Sequence, residues 1–288
     1  MQIDPHRNNV QPQHTALRSA SPRRALLLIA AMLGASAPSS PATMDAQGTP
    51  PAVQTQTAAD HIALGNKANV ARNATEALAH YEAALTLAPK NYDALWKASG
   101  AAIDVGEAEP DQKKREALYA KATTLARQSI AVDSGGAESN FAMARGLGRT
   151  ALTLGARDRV KYARDVRLHA LRSLAADSKH PGAMHVMGVW NAEIMRLNSI
   201  VRMFAKTVMG GSIFSEASWA SAAKYMEQSI ANDPMRAVHH LDLARVYRDM
   251  GRKADAKVQY DLAIKAPLKD ANDGLYQKEA ASELKAMK

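Results

Sequence analysis

The feature that most constrains this chain is a fixed spacing of small residues, an aromatic residue and a proline that occurs twice, far apart in the sequence. The first copy consists of Gly65, Ala68, Ala77, Tyr81, Ala84 and Pro89, and the second of Ala244, Tyr247, Ala256, Tyr260 and Ala263, with Pro267 one position early. Small residues let two helices cross closely, the aromatic ring fills the gap, and the proline ends the second helix. The spacing therefore predicts a repeated helix–turn–helix unit.

The residues between the two copies fit the same unit with longer helices. The equivalent helix ends are Pro89, Ser134, Ser178 and Pro234, which are 45, 44 and 56 positions apart, against ~34 for an ordinary tetratricopeptide unit. Asp111 is the expected N-cap of a helix that runs to Val132. Further helices are predicted over Ser139–Leu154, Arg159–Ala176, Ser215–Asn232 and Asp273–Met287.

The longest predicted helix runs from Pro181 to Met209, because a proline opens it and Gly210-Gly211 closes it. Its apolar residues repeat at alternating intervals of 3 and 4, and they are Met187, Trp190, Ile194, Leu197, Val201, Phe204 and Val208. Such a continuous face is typical of a packed core. The alternative interpretation is that it lines a groove for an apolar ligand.

Composition agrees with a helical fold. Hydrophobic residues make up 47% of the 288 residues and aromatic residues only 5%, whereas sheets favour aromatic and β-branched side chains. We predict an all-α fold, a tetratricopeptide-like α-solenoid of about five helical hairpins plus a C-terminal capping helix, over residues 60–288.

The N-terminal region has the organisation of an export signal. A polar, basic stretch leads into an apolar run of 13 residues, Ala25 to Ala37, which is too short for a hydrocarbon core of ~30 Å. We predict a signal peptide over residues 1–46 and a flexible linker over 47–59, and therefore a periplasmic or secreted protein, membrane-associated if the leader is retained. Arg23-Arg24 leaves a twin-arginine export route open.

Three segments of the second half resemble the regulator of microtubule dynamics family, a divergent tetratricopeptide group with an H-x-x-G-x-W signature. His185, Gly188 and Trp190 occupy that signature here, and the resemblance covers roughly residues 140–287. It implies a non-catalytic helical module that binds partners. Some eukaryotic members are membrane-anchored and implicated in microtubule association or lipid handling. Export would separate this chain from microtubules, so we expect the fold to carry over and the partner to differ, with the three signature residues structural.

The sequence offers no constellation for catalysis or metal binding. It has no cysteine, no Gly-x-Ser-x-Gly nucleophile elbow, and no phosphate loop after Gly210-Gly211. His239 and His240 are adjacent, so on a helix they point about 100° apart. We therefore predict no enzyme activity, no cofactor and no metal site.

Positive charge is concentrated in one predicted hairpin. The formal net charge is +9, and residues 145–179 hold nine basic and three acidic side chains, a net +6. Candidate binding residues are Arg145, Arg149, Arg157, Lys161, Arg164 and Asn66. A solvated basic face, a surface for an acidic peptide or lipid headgroup, and a clamp for a terminal carboxylate are alternatives. A nucleic-acid partner is not expected, because Tyr162 is the only aromatic residue in this stretch.

These observations favour a scaffold of the cell envelope that binds a protein or peptide through the concave face of its repeats. The alternative is a carrier of a lipid or acyl chain, in which the basic hairpin contacts the headgroup, because eight of the 13 methionines lie between Met184 and Met250. The two differ in what they require of the inner face: an apolar tunnel for the carrier, an open polar groove for the scaffold. The sequence assigns no oligomeric state.

Overall fold

The computed structural model describes residues 56–198, 200–203 and 212–287, all within one compact unit. Over those ranges the chain is helical and contains no strand. The helices are α1 (Ala58–Val70), α2 (Ala74–Leu87), α3 (Tyr92–Ala108), α4 (Gln112–Val132), α5 (Ala137–Leu152), α6 (Ala156–Ala176), α7 (Pro181–Arg196), α8 (Ser212–Ser215), α9 (Trp219–Asn232), α10 (Ala237–Asp249), α11 (Lys253–Lys265) and α12 (Asp273–Ala286). The predicted signal peptide and the linker up to residue 55 lie outside the described residues.

Successive helices form hairpins that stack on one another. The hairpins are α1–α2, α3–α4, α5–α6, α7–α9 and α10–α11, and the second helix of each packs against the first helix of the next. Helix α12 packs against α11 and α10. Within the described residues this confirms the prediction of five hairpins and a C-terminal capping helix.

The small residues of the repeat lie where the two helices of a hairpin cross. Six of the predicted crossing positions are at most 4% exposed, and they are Ala68, Ala77, Ala84, Ala244, Ala256 and Ala263. A Cβ atom on Gly65 would lie 2.5 Å from Cε1 of Tyr81. Because this is shorter than any normal contact, the aromatic residue fills the space that the glycine leaves.

Helix starts follow local capping chemistry. The Asp111 side chain accepts a hydrogen bond of 2.9 Å from the Lys114 amide, which confirms Asp111 as the N-cap of α4. Thr57 and Asp60 form a capping box at the start of α1. Helix α6 begins at Ala156, three residues before the predicted Arg159, so the turn between α5 and α6 is shorter than expected.

The prediction of one continuous helix from Pro181 to Met209 is wrong, because α7 ends at Arg196. Leu197 has an extended backbone, with φ −62° and ψ 135°. The Asn198 side chain then accepts a hydrogen bond of 2.9 Å from the Val201 amide, the bond that an N-cap makes. The Arg202 guanidinium donates to the Met195 and Leu197 carbonyls, which no longer have helical partners.

The apolar face of α7 packs into the core as the 3–4 spacing predicts. Met187, Trp190, Ile194 and Leu197 are each at most 8% exposed and belong to one cluster with residues of α5 and α6. Phe204 and Val208 lie outside the described residues. The partner helix α9 starts at Trp219 instead of the predicted Ser215, because Ser218 caps it through the Ser221 amide.

Candidate binding cavity

A cavity of about 580 Å³ lies on the inner side of the array. The first helices of four hairpins, α3, α5, α7 and α10, line it together with α6 and α12. Its apolar lining includes Phe141, Val160, Val186, Val189, Trp190 and Leu275, and its charged lining includes Asp104, Glu107, Arg145, Arg149, Asp242 and Arg245. This volume is within the range of pockets that bury a small ligand, and the lining suits a ligand with both apolar and polar parts.

Two arginines one helical turn apart on α5 share a buried carboxylate. Arg149 Nη2 lies 2.6 Å from Glu107 Oε1, and Arg145 Nη2 lies 3.4 Å from the same atom and 2.5 Å from Asp104 Oδ1. Burial alone would raise the pKa of Glu107, but the charges of Arg149 and Arg145 outweigh it and hold that pKa below its ordinary value. At Asp104 the effect of burial is larger than the opposing effect of the Arg145 charge, so the pKa of Asp104 is raised. Glu107 is therefore the firmly ionised partner of the arginine pair.

A second polar group connects α7, α10 and α12 on the same cavity. His185 Nε2 and Asp242 Oδ2 are 2.9 Å apart, and Asp242 also accepts a hydrogen bond of 3.0 Å from Arg245. Burial opposes ionisation of Asp242, but the hydrogen bond and charge of His185 and the charge of Arg245 together bring its pKa well below the ordinary value. The Arg245 guanidinium also reaches α12, where it donates hydrogen bonds to Glu279 at 2.8 Å and Glu283 at 2.6 Å.

The start of α12 closes the cavity against α3. Asn272 Nδ2 donates to Glu107 Oε2 at 3.0 Å and to the Asp104 carbonyl at 2.9 Å, and the Tyr276 hydroxyl also donates to Glu107. Burial, reinforced by the Glu107 carboxylate, raises the pKa of Tyr276 well above its ordinary value. The hydroxyl therefore keeps its proton and remains a donor.

The predicted binding residues fall into separate places. Arg145 and Arg149 line the cavity, whereas Arg157, Lys161 and Arg164 are exposed on α6 and are not part of its lining. Lys161 pairs with Asp158 at 2.5 Å. Asn66 lies on α1, also outside the cavity, where it accepts a hydrogen bond of 3.0 Å from Tyr81. The structure thus brings only the two α5 arginines of this set together.

Sequence reasoning missed Glu107, Asp242, Arg245 and Tyr276. One signal pointed to Arg245, since it follows Ala244 as Asn66 follows Gly65 in the repeat. The same register places Arg245 on the first helix of its hairpin, facing the cavity. The long-range contacts that bury Glu107 have no counterpart in a local sequence pattern.

The described part of the chain holds no group of three histidine, aspartate or glutamate side chains placed to bind a metal ion. None of its helices combines the length and the apolar character needed to cross a bilayer.

The three signature residues of the second half have defined structural contacts. A Cβ atom on Gly188 would lie 2.7 Å from Cγ of Met226, so α7 and α9 approach as closely as a glycine allows. Trp190 Nε1 donates a hydrogen bond of 2.7 Å to the Ala163 carbonyl, which ties α7 to α6. His185 faces the cavity and Asp242.

Residues 58–288 match the sequence pattern of the family described as regulator of microtubule dynamics protein 1-3. The chain belongs to the regulator of microtubule dynamics family. That match extends over every described helix. The family domain of this regulator of microtubule dynamics family member therefore includes α1–α4, which precede the predicted resemblance over residues 140–287. No curated protein matches the chain.

Two of the solved structures with a similar chain path, TTC0263 and YrrB, are described as tetratricopeptide-repeat proteins. TTC0263 of Thermus thermophilus has a TM-score of 0.57 at 16% identity, over 78% of this chain and 100% of that protein. PilF of Pseudomonas aeruginosa has a TM-score of 0.41 at 18% identity, over 79% and 88% of the two chains. YrrB, described as having an unusual peptide-binding site, has a TM-score of 0.39 at 15% identity, over 78% and 92%. The likeness to TTC0263 confirms the tetratricopeptide-like solenoid for this regulator of microtubule dynamics family member.

Proposed function

We propose that this family member is a non-catalytic scaffold that binds a segment of a partner protein in its inner cavity. The observation that carries the proposal is the composition of the cavity walls, where an apolar surface on α7 faces ionised side chains on α5 and α10. A peptide segment has both kinds of surface in close succession, because apolar side chains alternate with a polar backbone. Arginine in a partly desolvated site also binds carboxylates and carbonyls with defined geometry.

Gly148 allows a test that fills the cavity without disturbing its charges. It lies inside α5 on the cavity wall, and a Cβ atom there would meet nothing within 4 Å. Replacing an interior helical glycine improves helix propensity by up to about 1 kcal/mol. Gly148→Leu should therefore keep or raise the melting temperature while it occupies the cavity.

The experiment selects peptides from a random library on the wild-type protein and measures their affinity by titration calorimetry. We expect Gly148→Leu to weaken binding at least tenfold. The control is Ala120→Leu, which adds a similar side chain on the exposed side of α4 and should bind as the wild type does. Peptides that bind Gly148→Leu as tightly as wild type would contradict a cavity site.

The apolar wall favours one second candidate, a carrier of a lipid or acyl chain whose headgroup is held by Arg145 and Arg149. Val160, Val186, Val189 and Trp190 give such a chain a contact surface. Native mass spectrometry of purified protein and uptake of a fluorescent fatty acid test this candidate. A bound probe that Gly148→Leu excludes, with no peptide selected, supports the carrier and overturns the scaffold.

We also propose that the protein acts outside the cytoplasm, in the cell envelope or secreted. The support is the basic stretch followed by a short apolar run at the start of the sequence. Fractionation of cells that express a C-terminally tagged chain, with N-terminal sequencing of the product, tests export and the cleavage site together. A full-length product confined to the cytoplasm would contradict this.

A further inference from the structure

The segment that leads from α11 into α12, residues 268–276, touches hairpins far away in sequence, and we call it the closing segment. Arg72, in the turn between α1 and α2, donates through Nη1 to the Leu268 carbonyl at 3.2 Å. Asn272 donates through Nδ2 to the Asp104 carbonyl at 2.9 Å. These bonds join residues 196 and 168 positions apart, whereas a solenoid repeat normally contacts only its neighbours. The end of the array is thereby fastened to its beginning.

One side chain belongs both to this fastening and to the cavity. Glu107 receives Asn272 and Tyr276 from the closing segment, and it pairs with Arg145 and Arg149 from α5. Its side chain is only 6% exposed. Asn272 and Tyr276 donate to Oε2 and the two arginines contact Oε1, so one carboxylate links the closing segment to the cavity arginines.

The closing segment is held together by its own hydrogen bonds, and it contacts α3 through polar groups. The buried Asp273 accepts hydrogen bonds through Oδ2 from the amides of Lys269, at 2.7 Å, and Asp270, at 2.6 Å. Leu268 and Leu275 are 49% and 39% exposed and anchor nothing in a core, whereas the partly buried Tyr276 ring packs against the hydrophobic cluster that includes Leu241 and Ala280. The later part of α12 is held independently, by fully buried Ala280 and by Glu283 on Arg245. To leave α3 the segment must break its hydrogen bonds there and the ion pair of Asp270 with Arg236, and it takes the first turn of α12 with it while the later part of α12 stays attached.

We propose that the closing segment is a gate of the binding cavity, with Glu107 as its latch, and that it separates from α3 to admit the ligand. Asp270, Asn272, Leu275 and Tyr276 form part of the cavity wall, so their displacement opens that side. When the gate opens, its hydrogen bonds to α3 are exchanged for hydrogen bonds to water. The proposal rests on the cavity being the binding site, as proposed above.

The chain has no cysteine, so two introduced thiols are a unique pair. Arg72→Cys and Leu268→Cys place them on the two sides of the gate, and a short bismaleimide with a cleavable disulfide joins them. With a peptide selected on the wild type, we expect the locked protein to associate at least tenfold more slowly, and reductant to restore the rate. An unchanged rate in protein shown by mass spectrometry to be cross-linked would overturn the gate.

The same experiment separates the two proposals. Binding that Gly148→Leu abolishes and the cross-link leaves intact supports the cavity and overturns only the gate. Binding that Gly148→Leu leaves intact overturns the cavity site, and the gate with it.

A measurement without ligand tests the latch directly. Asn272→Ala combined with Tyr276→Phe removes the two hydrogen bonds from the closing segment to Glu107, and we expect amide hydrogen exchange over residues 268–276 to accelerate at least tenfold while α5 and α6 keep their wild-type rates. Asn66→Ala combined with Tyr81→Phe removes a similar bond away from the gate and should leave those residues unchanged. No acceleration, or equal acceleration throughout the protein, would show that the segment is not a separate gate.

Discussion

His239 is an ionisable residue that the folded protein keeps neutral. It is 3% exposed, its ring centroid lies 4.8 Å from that of His185, and its Nδ1 is 3.1 Å from Ser229 Oγ. Burial, followed by the positive charges of His185 and Arg236, lowers its pKa well below the ordinary 6.5. Protonation therefore favours the unfolded chain, where the imidazole is in water.

This predicts an acid-sensitive contribution to stability. Below pH 6.5 the unfolded state binds a proton at His239 that the folded state does not, so the free energy of unfolding falls as the pH falls. The loss approaches about 1.4 kcal/mol per pH unit until the depressed folded pKa is reached. His239→Asn, which keeps a donor for Ser229, should flatten this slope in urea titrations between pH 7 and pH 5.

His61→Asn is the matched control for that measurement, since it removes a histidine from α1, away from the cavity. A second control, Ala120→Leu, changes no titratable group, and its pH slope should parallel that of the wild type. If His239→Asn and wild type lose stability equally with acid, His239 is not the source of the effect.

At the level of the elements, the break after α7 shows which properties of a helix an apolar periodic pattern predicts. The 3–4 spacing continues from Met187 through Val201 without interruption, so it predicts an unbroken helix. The chain breaks nevertheless: Leu197 is extended, the Asn198 side chain accepts a hydrogen bond from the Val201 amide, and Arg202 donates to the Met195 and Leu197 carbonyls. Apolar spacing reports which face is buried, and local hydrogen bonds decide where a helix ends.

Asn198→Ala should therefore destabilise the protein by about 1 kcal/mol, the usual effect of losing an N-cap. Chemical denaturation with circular dichroism measures this. Asn198→Asp, which keeps an acceptor for the Val201 amide, should retain most of the stability. Equal losses for the two variants would mean that the cap is not what stabilises this break.

The hairpins themselves were predictable, because each rests on residues close in sequence. Ala77, Tyr81 and Ala84 lie on one helix and identify its packing face before any contact is known. Of the polar lining of the candidate cavity, Arg145 and Arg149 were among the predicted binding residues, since the basic stretch that contains them is a local feature of the sequence. Glu107 was not, because its partners Arg149 and Tyr276 are 42 and 169 positions away and nothing local distinguishes it from a solvated glutamate.

At the scale of the whole molecule, carboxylates from other parts of the chain offset much of the positive charge of residues 145–179. Arg145, Arg149, Arg159 and Arg167 account for four of its nine cations, and each pairs with a carboxylate from outside residues 145–179. Those carboxylates are Asp104, Glu107, Glu193 and Glu216. A run of charge along the sequence therefore overstates the positive field at the surface.

Glu107 joins α3 to the start of α12, so its replacement should lower the free energy of unfolding of the whole protein. Removing one partner of a buried ion pair typically costs about 3–5 kcal/mol, and Glu107→Gln should approach the lower end because the amide keeps one acceptor. Glu82→Gln, in a surface pair with Lys121 at 2.7 Å, should cost less than about 1 kcal/mol. Equilibrium urea unfolding of both variants gives the comparison, and similar losses would contradict the central role of Glu107.

The contact between Asn272 and α3 also bears on how the molecule can change over evolution. An open array of repeats gains or loses a unit at little cost, because each addition only lengthens the stack. In this chain an added or deleted hairpin would displace Asn272 and Tyr276 from Glu107. An array with a different number of hairpins would therefore lose the bonds that join its last element to the second hairpin.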